Sequence, residues 1–231
     1  VIINGRTEEN VAKVVGEIKN ADPAFNISGI AADFSKVDDV NALIAALPDI
    51  DILINNAGIF EPKPFDQIPD EDWFRFFEVN VMSGVRLARH FFSKMIKKNW
   101  GRIIFISSES AVFIPDEMIH YGFTKTAQLA ISRGLAELTK GTGVTVNAIL
   151  PGPTKSKGVT GFIDDLSKAN NKTVEDVEKD FFEDMRPTSL IQRFASVDEI
   201  ADIIAFYVSP LASATNGAAI RAEGGLIRSI L

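Results

Sequence analysis

Tyr121 and Lys125 are the clearest chemical pair in the sequence, because they stand four positions apart at the start of a predicted helix. Residues at this spacing lie on one face of a helix. A free phenol has a pKa of about 10 and is a poor base at neutral pH, but a neighbouring ammonium favours the phenolate. The pair predicts proton exchange with a substrate hydroxyl or carbonyl group. Taken alone, it is also compatible with an ordinary helix surface.

Two further polar residues could belong to the same site. Ser108 follows a predicted strand, where its hydroxyl could donate to a substrate oxygen. A helix cap or a local turn is the commoner fate of such a serine. Asn80 lies inside a long predicted helix, in which asparagine is unfavourable. It either faces solvent or marks a kink that orders water near the site.

Two short loops follow other predicted strands. Asn55-Asn56-Ala57-Gly58 is a small polar turn that ends in glycine, and glycine lets the backbone approach a ligand closely. Pro151-Gly152-Pro153-Thr154 is a stiff loop after a later strand. Ligands bind outside the carboxyl ends of the strands in a doubly wound sheet, so both loops are candidate ligand contacts. Structural turns remain the alternative for both.

Short apolar runs alternate with helical patterns along the chain, and this alternation predicts a parallel sheet with helices on both faces. Thr7, Ser35 and Ser196 are candidate helix N-caps. We expect long helices from Asp70 to Asn99 and from Tyr121 to Lys140, the second ending at Gly141. The predicted strands are Val1–Ile3, Ile27–Ala32, Asp51–Ile54, Arg102–Ile106, Val144–Ile149 and Ala218–Arg221.

Composition excludes several classes of protein. The 231 residues are 46% hydrophobic with a net charge of −7, which is typical of a globular protein and disfavours binding to nucleic acid or to an anionic membrane. The chain contains no cysteine and two separate histidines, so we expect no metal site. A Ser-His-Asp hydrolase is disfavoured because no Gly-x-Ser-x-Gly motif occurs. We expect a soluble, cytoplasmic protein.

Segment 155–187 interrupts the alternation of strands and helices. It is polar and holds eight acidic residues and three lysines between Asp164 and Asp184, so most of the net charge is local. The segment is either a solvated helical face or a mobile lid over a site.

Together these motifs resemble a classical short-chain dehydrogenase/reductase. Under this resemblance Tyr121 is the general acid/base and Ser108 orients the substrate. Lys125 binds the nicotinamide ribose and lowers the pKa of the phenol, while Asn80 holds a water of a proton relay. The motifs occur in the family's order: Asn55-Asn56-Ala57-Gly58, Asn80, Ser108, Tyr121-x-x-x-Lys125, Pro151-Gly152 and Arg221-x-x-Gly224-Gly225.

The resemblance implies a Rossmann-type doubly wound α/β fold, one dinucleotide-binding domain over residues 1–231, and a nicotinamide cofactor. Arg6 follows the first predicted strand, where an arginine could pair with a 2′-phosphate, so we favour NADP over NAD. A surface arginine in a turn is the alternative. The implied cofactor contacts are Arg6, Asp33, Phe34, Asn56, Ala57, Gly58, Tyr121, Lys125, Pro151, Gly152 and Thr154.

One family feature does not occur in the sequence. The Gly-rich turn that follows the family's first strand has no counterpart, and Val1 opens what resembles the second strand. The missing strand would leave a gap of about 9.6 Å where pairing needs about 4.8 Å. We expect roughly 25–35 further residues before Val1 in the native protein, a length that holds one strand, a Gly-rich turn and a helix. Expressed alone, the present chain should be unstable and bind the cofactor poorly.

The function we favour is transfer of a hydride between NADP(H) and an alcohol/carbonyl pair. The alternative is a non-catalytic binding or regulatory protein of the same fold. The substrate is open among a 3-oxoacyl group, a sugar and a hydroxy acid. The helices near Val81–Lys97 and Tyr121–Lys140 carry apolar residues on more than one face, which predicts a homo-oligomer, with a tetramer favoured. Residues that suggest an apolar wall of the pocket are Phe113, Ile114, Pro115, Met118 and Phe162.

Overall fold

The computed structural model describes residues 1–230, and all six predicted strands are present. All strand pairs are parallel. Strand ends differ from the prediction by at most two residues, with the largest differences at the ends of the first strand and of the fifth, which continues into the Pro151 loop. The strands are β1 (Ile2–Gly5), β2 (Ser28–Ala31), β3 (Ile52–Asn55), β4 (Gly101–Ile106), β5 (Val144–Pro151) and β6 (Ala219–Ala222).

Eight α-helices connect or follow the strands within the described residues. They are α1 (Glu8–Ala21), α2 (Val37–Ala46), α3 (Asp70–Phe77), α4 (Ser83–Lys98), α5 (Ile119–Glu137), α6 (Lys157–Asn170), α7 (Val174–Asp180) and α8 (Val197–Val208). Helix α5 begins two residues before Tyr121 and ends four before Gly141, whose φ of 79° lies in the left-handed region.

Helices cover both faces of the sheet, as predicted. Successive side chains of a strand point to opposite faces. Ile103 and Phe105 of β4 therefore enter a core shared with α2, α4 and α5. Ile104 and Ile106 point the other way and pack with residues of α8. The fully buried β4 and the nearly fully buried β5 have the continuous apolar character that a doubly covered parallel strand requires.

The sheet is divided between β1 and β3. Strands β1 and β2 form one pair, and the other four strands follow the order β3-β4-β5-β6. The division lies where the resemblance places the family's first strand, so the expected interruption of the sheet is confirmed. Ile52 and Ile54 of β3 remain 39% and 42% exposed, which is unusual for residues beside a central position of a sheet. The strand that would occupy this position is not among residues 1–230.

Two of the three predicted helix N-caps are confirmed. The side chain of Thr7 accepts from Asn10, and Ser196 forms a capping box with Glu199. The prediction for Ser35 is wrong, because Lys36 is the N-cap of α2 and makes no side-chain cap bond. The Ser35 hydroxyl instead donates to the carboxylate of Asp33, at 2.7 Å.

The long helix predicted from Asp70 contains an irregular turn. Glu78–Met82 forms a π-turn between α3 and α4, and Asn80 lies in it, fully buried. The prediction that Asn80 faces solvent is therefore wrong, and the prediction of a local distortion is confirmed. Single π-turns inside helices are frequent at functional sites.

Segment 155–187 has helical structure and two different faces. It holds α6, α7 and a second π-turn, Phe181–Met185. Ile163, Val177 and Phe182 pack against Phe194 in a separate hydrophobic cluster. Most of the acidic residues point outward, so the segment has both the solvated face and the covering face that the sequence left open. No helix within residues 1–230 is long and apolar enough to cross a membrane.

Candidate active site

The loops at the carboxyl ends of β3, β4 and β5 open onto one cavity of about 490 Å³. Parallel strands bring their carboxyl ends to the same edge of the sheet, and this explains the convergence of distant motifs. Asn80 lies directly beside the cavity without lining it. The predicted site residues that line the cavity are Asn56, Gly58, Ser108, Tyr121, Lys125, Pro151, Gly152 and Thr154.

Lys125 lies beneath the Tyr121 ring. Its Nζ is 5.5 Å from the centroid of that ring and donates to the Ile106 carbonyl at 2.9 Å. The Ser107 hydroxyl donates to the Lys125 carbonyl at 2.8 Å, which ties α5 to the end of β4. Lys125 is only 4% exposed, so strand and helix together hold its ammonium against the phenol.

Asn80 connects the α3–α4 turn to the other elements of the site. Its side chain accepts from the Ile59 backbone N–H at 2.7 Å and donates to the Ile59 carbonyl at 2.9 Å. The side-chain amide of Asn80 also donates to the Thr124 hydroxyl at 3.0 Å. The backbone carbonyl of Asn80 accepts from the side-chain amide of Gln128 at 2.6 Å. The side chain therefore positions the loop after β3.

The Ser108 hydroxyl has a partner that the sequence did not suggest. It donates to the carboxylate of Glu109, which is 6% exposed. It also accepts from the Ser110 backbone N–H at 3.1 Å. Ser108 is thus a local N-cap, as one alternative held, and a lining residue of the cavity as well.

The surroundings of Tyr121 shift the pKa of its phenol in opposite directions. Burial raises the pKa of the Tyr121 phenol, the charge of Glu109 raises it further, and a hydrogen bond with Ser108 lowers it. Burial lowers the pKa of Lys125 to about 8, against the opposing effect of Glu109. The net shift of the phenol pKa is therefore opposite to the sequence prediction. Desolvation of the phenolate outweighs the contacts that stabilise it.

Small residues leave room beside these polar groups. A Cβ atom on Gly58 would lie 3.5 Å from both the Asn80 Oδ1 and the Lys125 Nζ. A Cβ on Gly152 would lie 2.7 Å from the Cα of Glu223, so the loop after β5 passes against the chain after β6. The Thr154 hydroxyl donates to the Gly152 carbonyl at 2.9 Å, which fixes that loop. These positions give a polar cradle that a planar ring and a ribose would fit.

Four predicted cofactor residues do not line this cavity: Arg6, Asp33, Phe34 and Ala57. Arg6 is exposed directly after β1, and Asp33 follows β2. The two are near enough that Arg6 contributes to lowering the pKa of Asp33, although a backbone hydrogen bond from Ser35 is the largest cause. Phe34 packs on the edge of the main core. Arg6, Asp33 and Phe34 therefore lie at the ends of the β1–β2 pair, whereas Ala57 follows β3.

The apolar wall of the cavity differs in part from the prediction. Met118 and Phe162 line the cavity, whereas Phe113, Ile114 and Pro115 do not. Phe113 and Ile114 are about half exposed to solvent, because the turns after Ser108 direct them outward. Segment 155–187 adds further apolar residues to the wall: Val159, Phe181 and Met185.

Three charged residues of the cavity were not predicted: Glu109, Glu117 and Arg186. The Arg186 guanidinium is 5% exposed and donates to Glu117 at 3.0 Å. Its Nε lies 3.6 Å from a carboxylate oxygen of Glu109. The sequence offered one signal for this charged cluster, the acidic Glu109 directly after Ser108. No group of three potential metal ligands occurs among the described residues.

Known proteins resemble this chain along nearly its whole length. Residues 1–166 match the family model described as short chain dehydrogenase. The uncharacterized oxidoreductase YvaG of Bacillus subtilis is 50% identical over 230 residues, which cover 100% of this chain and 87% of that protein. The 3-oxoacyl-[acyl-carrier-protein] reductase FabG of Aquifex aeolicus is 29% identical over a match that covers 98% of this chain and 86% of that protein.

Solved structures give the same result. The L-sorbose reductase of Gluconobacter frateurii, in complex with NADPH and L-sorbose, superposes with a TM-score of 0.91 at 26% sequence identity. The superposition covers 99% of this chain and 87% of that chain. The Rossmann-type fold predicted from the sequence is confirmed.

Proposed function

The chain belongs to the short-chain dehydrogenase family, and we propose that it transfers a hydride between NADP(H) and an alcohol/carbonyl substrate by a Ser-Tyr-Lys mechanism. The observation that carries the proposal is the placement of Ser108, Tyr121 and Lys125 around one cavity. Their convergence from β4 and α5 favours an enzyme over the non-catalytic binding protein that the sequence left open.

Tyr121 acts as the general acid in carbonyl reduction and as the general base in alcohol oxidation. Its hydroxyl gives a proton to the substrate oxygen in one direction and takes it back in the other. Ser108 holds that oxygen beside the phenol. Because the Ser108 hydroxyl donates to Glu109 in the ligand-free chain, it has to turn away from Glu109 when it donates to substrate.

Lys125 and Asn80 support the proton transfer. The Lys125 ammonium stabilises negative charge on the Tyr121 oxygen after the phenol has given its proton. The Asn80 carbonyl would hold a water molecule through which solvent replaces the proton. Burial of Lys125 and Asn80 confines the proton to this path.

The nicotinamide, when bound, supplies the hydride donor or acceptor. The polar cradle around Gly58 fits it, and Lys125 and Tyr121 would hold its ribose. Asp33, Phe34 and Arg6 would hold the adenosine end, with Arg6 pairing with a 2′-phosphate. The NADPH complex of the Gluconobacter frateurii relative supports the choice of NADP. The full set of proposed contacts adds Asn56, Ala57, Pro151, Gly152 and Thr154.

We also propose a domain organisation, a cellular location and an oligomeric state for the enzyme. Residues 1–231 form one dinucleotide-binding domain with a lid at segment 155–187, and the protein acts in the cytoplasm. Helices α3 and α5 expose large apolar side chains, with Phe74 72% and Phe123 46% exposed. These residues support a homo-oligomer, for which we favour a tetramer.

A titration followed by a turnover assay tests this function. Intrinsic fluorescence of the full-length protein is recorded during addition of NADPH, and NADPH absorbance is then followed with a panel of ketones. Saturable binding and ketone-dependent NADPH oxidation are expected. Binding without oxidation by any ketone would instead identify a non-catalytic binding protein.

A further inference from the structure

The cavity contains a charged cluster that the proposed reaction does not use, formed by Glu109, Glu117 and Arg186. Apart from Lys125, these are the charged side chains that line the cavity within the described residues. The cluster carries a net charge of −1 when both carboxyls are ionised. It lies in the space where substrate has to bind, beside Ser108 and Tyr121.

The two terminal nitrogens of Arg186 already donate to protein oxygens. One terminal nitrogen donates to the Glu117 carboxylate at 3.0 Å, and the other donates to the Met185 carbonyl at 2.8 Å. The guanidinium also lies 5.7 Å from the centroid of the Phe181 ring. The third nitrogen, Nε, is buried and has no hydrogen-bond partner among residues 1–230, but it lies 3.6 Å from a Glu109 carboxylate oxygen, so a substrate carboxylate that paired with it would lie beside Glu109. Arg186 is therefore not a free anion site.

Glu109 places negative charge at the reacting atoms. Its carboxylate accepts from the Ser108 hydroxyl, and its charge acts on both Tyr121 and Lys125. The carboxylate is nearly enclosed, so its field is weakly screened by solvent. A second negative charge near the reacting carbonyl would be repelled in this low-dielectric space.

Most of the remaining residues around the substrate space are apolar. Phe60 packs edge-on against Tyr121, with ring centroids 6.4 Å apart. Segment 155–187 and its neighbours add aliphatic and aromatic surface from the other side. The apolar residues nearest this space are Phe60, Met118, Val159, Phe162, Phe181 and Met185.

We infer that the substrate is an uncharged ketone or secondary alcohol with apolar substituents, and that Glu109 excludes compounds carrying a carboxylate near the reacting carbon. The inference rests on the proposed function and names the substrate class of the same site. Among the classes that the sequence left open, it excludes the hydroxy acids.

A pair of ketones that differ chiefly in charge tests the inference. Methyl levulinate is neutral, and levulinate carries a carboxylate on the same carbon skeleton. We expect kcat/KM for NADPH-dependent reduction of the ester to exceed that of the acid by about tenfold or more. In Glu109→Gln the ratio should fall by about tenfold, because the repelling charge is gone.

Glu183→Gln is the matched control. Glu183 lies on segment 155–187 and pairs with Lys179 outside the cavity, so the ratio should stay unchanged. If Glu109→Gln does not fold, as judged by circular dichroism, Glu117→Gln provides the second test of the same cluster. A smaller fall in the ratio is expected there, because Glu109 accepts from the Ser108 hydroxyl whereas the Glu117 carboxylate pairs with Arg186.

The outcomes separate this inference from the function on which it rests. Equal turnover of ester and acid in the wild-type chain would overturn the charge inference and leave the oxidoreductase proposal standing. An unchanged ratio in folded Glu109→Gln would overturn the role of Glu109. No NADPH oxidation with any ketone would overturn the proposed function and the inference with it.

Discussion

The Lys125 ammonium lies 5.5 Å from the centroid of the Tyr121 ring and donates to the Ile106 carbonyl, so a buried cation is fixed beneath the phenol. Burial lowers the pKa of Lys125 to about 8. The charged form dominates below that value and is lost as the pH rises through it. Charge on the Lys125 side chain is therefore titratable in the range where dehydrogenases are assayed.

This titration predicts a pH limit for carbonyl reduction. We expect kcat/KM, which reports the free enzyme, to decline as the pH rises through about 8. Lys125→Arg keeps its charge at that pH and should lower the rate while removing the decline. Lys179→Arg, on the exposed face of α7, is the control and should keep the wild-type profile. A decline that survives in Lys125→Arg would assign it to another group.

We predict that Arg6 sets the preference of the enzyme for NADPH over NADH. Arg6→Gln should lower the ratio of NADPH to NADH affinity by roughly 10- to 150-fold, since a charge-assisted contact with the 2′-phosphate is lost. Gly5→Asp is a poor companion change, because a Cβ there would lie 2.9 Å from the Val11 Cγ2. Fluorescence titrations with both cofactors give the ratio. Exposed Arg89→Gln serves as the control, and an unaltered ratio in Arg6→Gln would remove Arg6 from the phosphate site.

We predict that the loop after β5 does not tolerate a side chain at position 152. An alanine Cβ would lie 2.7 Å from the Cα and 2.8 Å from the carbonyl oxygen of Glu223, and backbone atoms there cannot move aside easily. We expect Gly152→Ala to lower the free energy of unfolding by about 1–3 kcal/mol and to weaken NADPH binding. Urea unfolding and fluorescence titration measure the two effects.

Gly16→Ala is the matched control for that change. Gly16 lies inside α1, and no atom outside its own stretch of helix lies within 4 Å of the place that an alanine Cβ would take. Alanine there should raise the free energy of unfolding by about 0.4–1 kcal/mol, because it restricts the unfolded chain without a clash. Equal stability of the two variants would show that the loop after β5 adapts to a side chain.

Much of the fold could be predicted because its signals are local. The strands are apolar runs of the right length, and the Thr7 and Ser196 caps depend on residues three positions away. The Ser35 prediction was wrong because Asp33 competes for the same hydroxyl, and this competition depends on backbone geometry. The π-turn at Asn80 was visible only as an unfavourable residue in a helix.

The candidate site likewise contains residues that the sequence predicts and contacts that it does not. Its motif residues follow strands, and parallel topology brings strand ends together whatever their separation in the chain. The pairing of Arg186 with Glu117 joins residues 69 positions apart, and no periodicity or spacing marks it. The direction of the Ser108 hydroxyl and the upward shift of the Tyr121 pKa depend on Glu109 and on burial, which only the packed structure shows.

The Tyr121→Phe variant tests the central claim most directly. Phenylalanine keeps the ring packing against Phe60 and removes the proton, so ground-state binding is preserved while proton transfer is lost. Tyr207→Phe, at the other tyrosine of the chain, is the control. The measurement is kcat for NADPH-dependent ketone reduction beside the NADPH dissociation constant. The account predicts a fall in kcat of about 10²- to 10⁴-fold, with NADPH affinity falling by no more than about tenfold, the effect of one lost hydrogen bond to the ribose. A Tyr121→Phe variant with near wild-type kcat would contradict it.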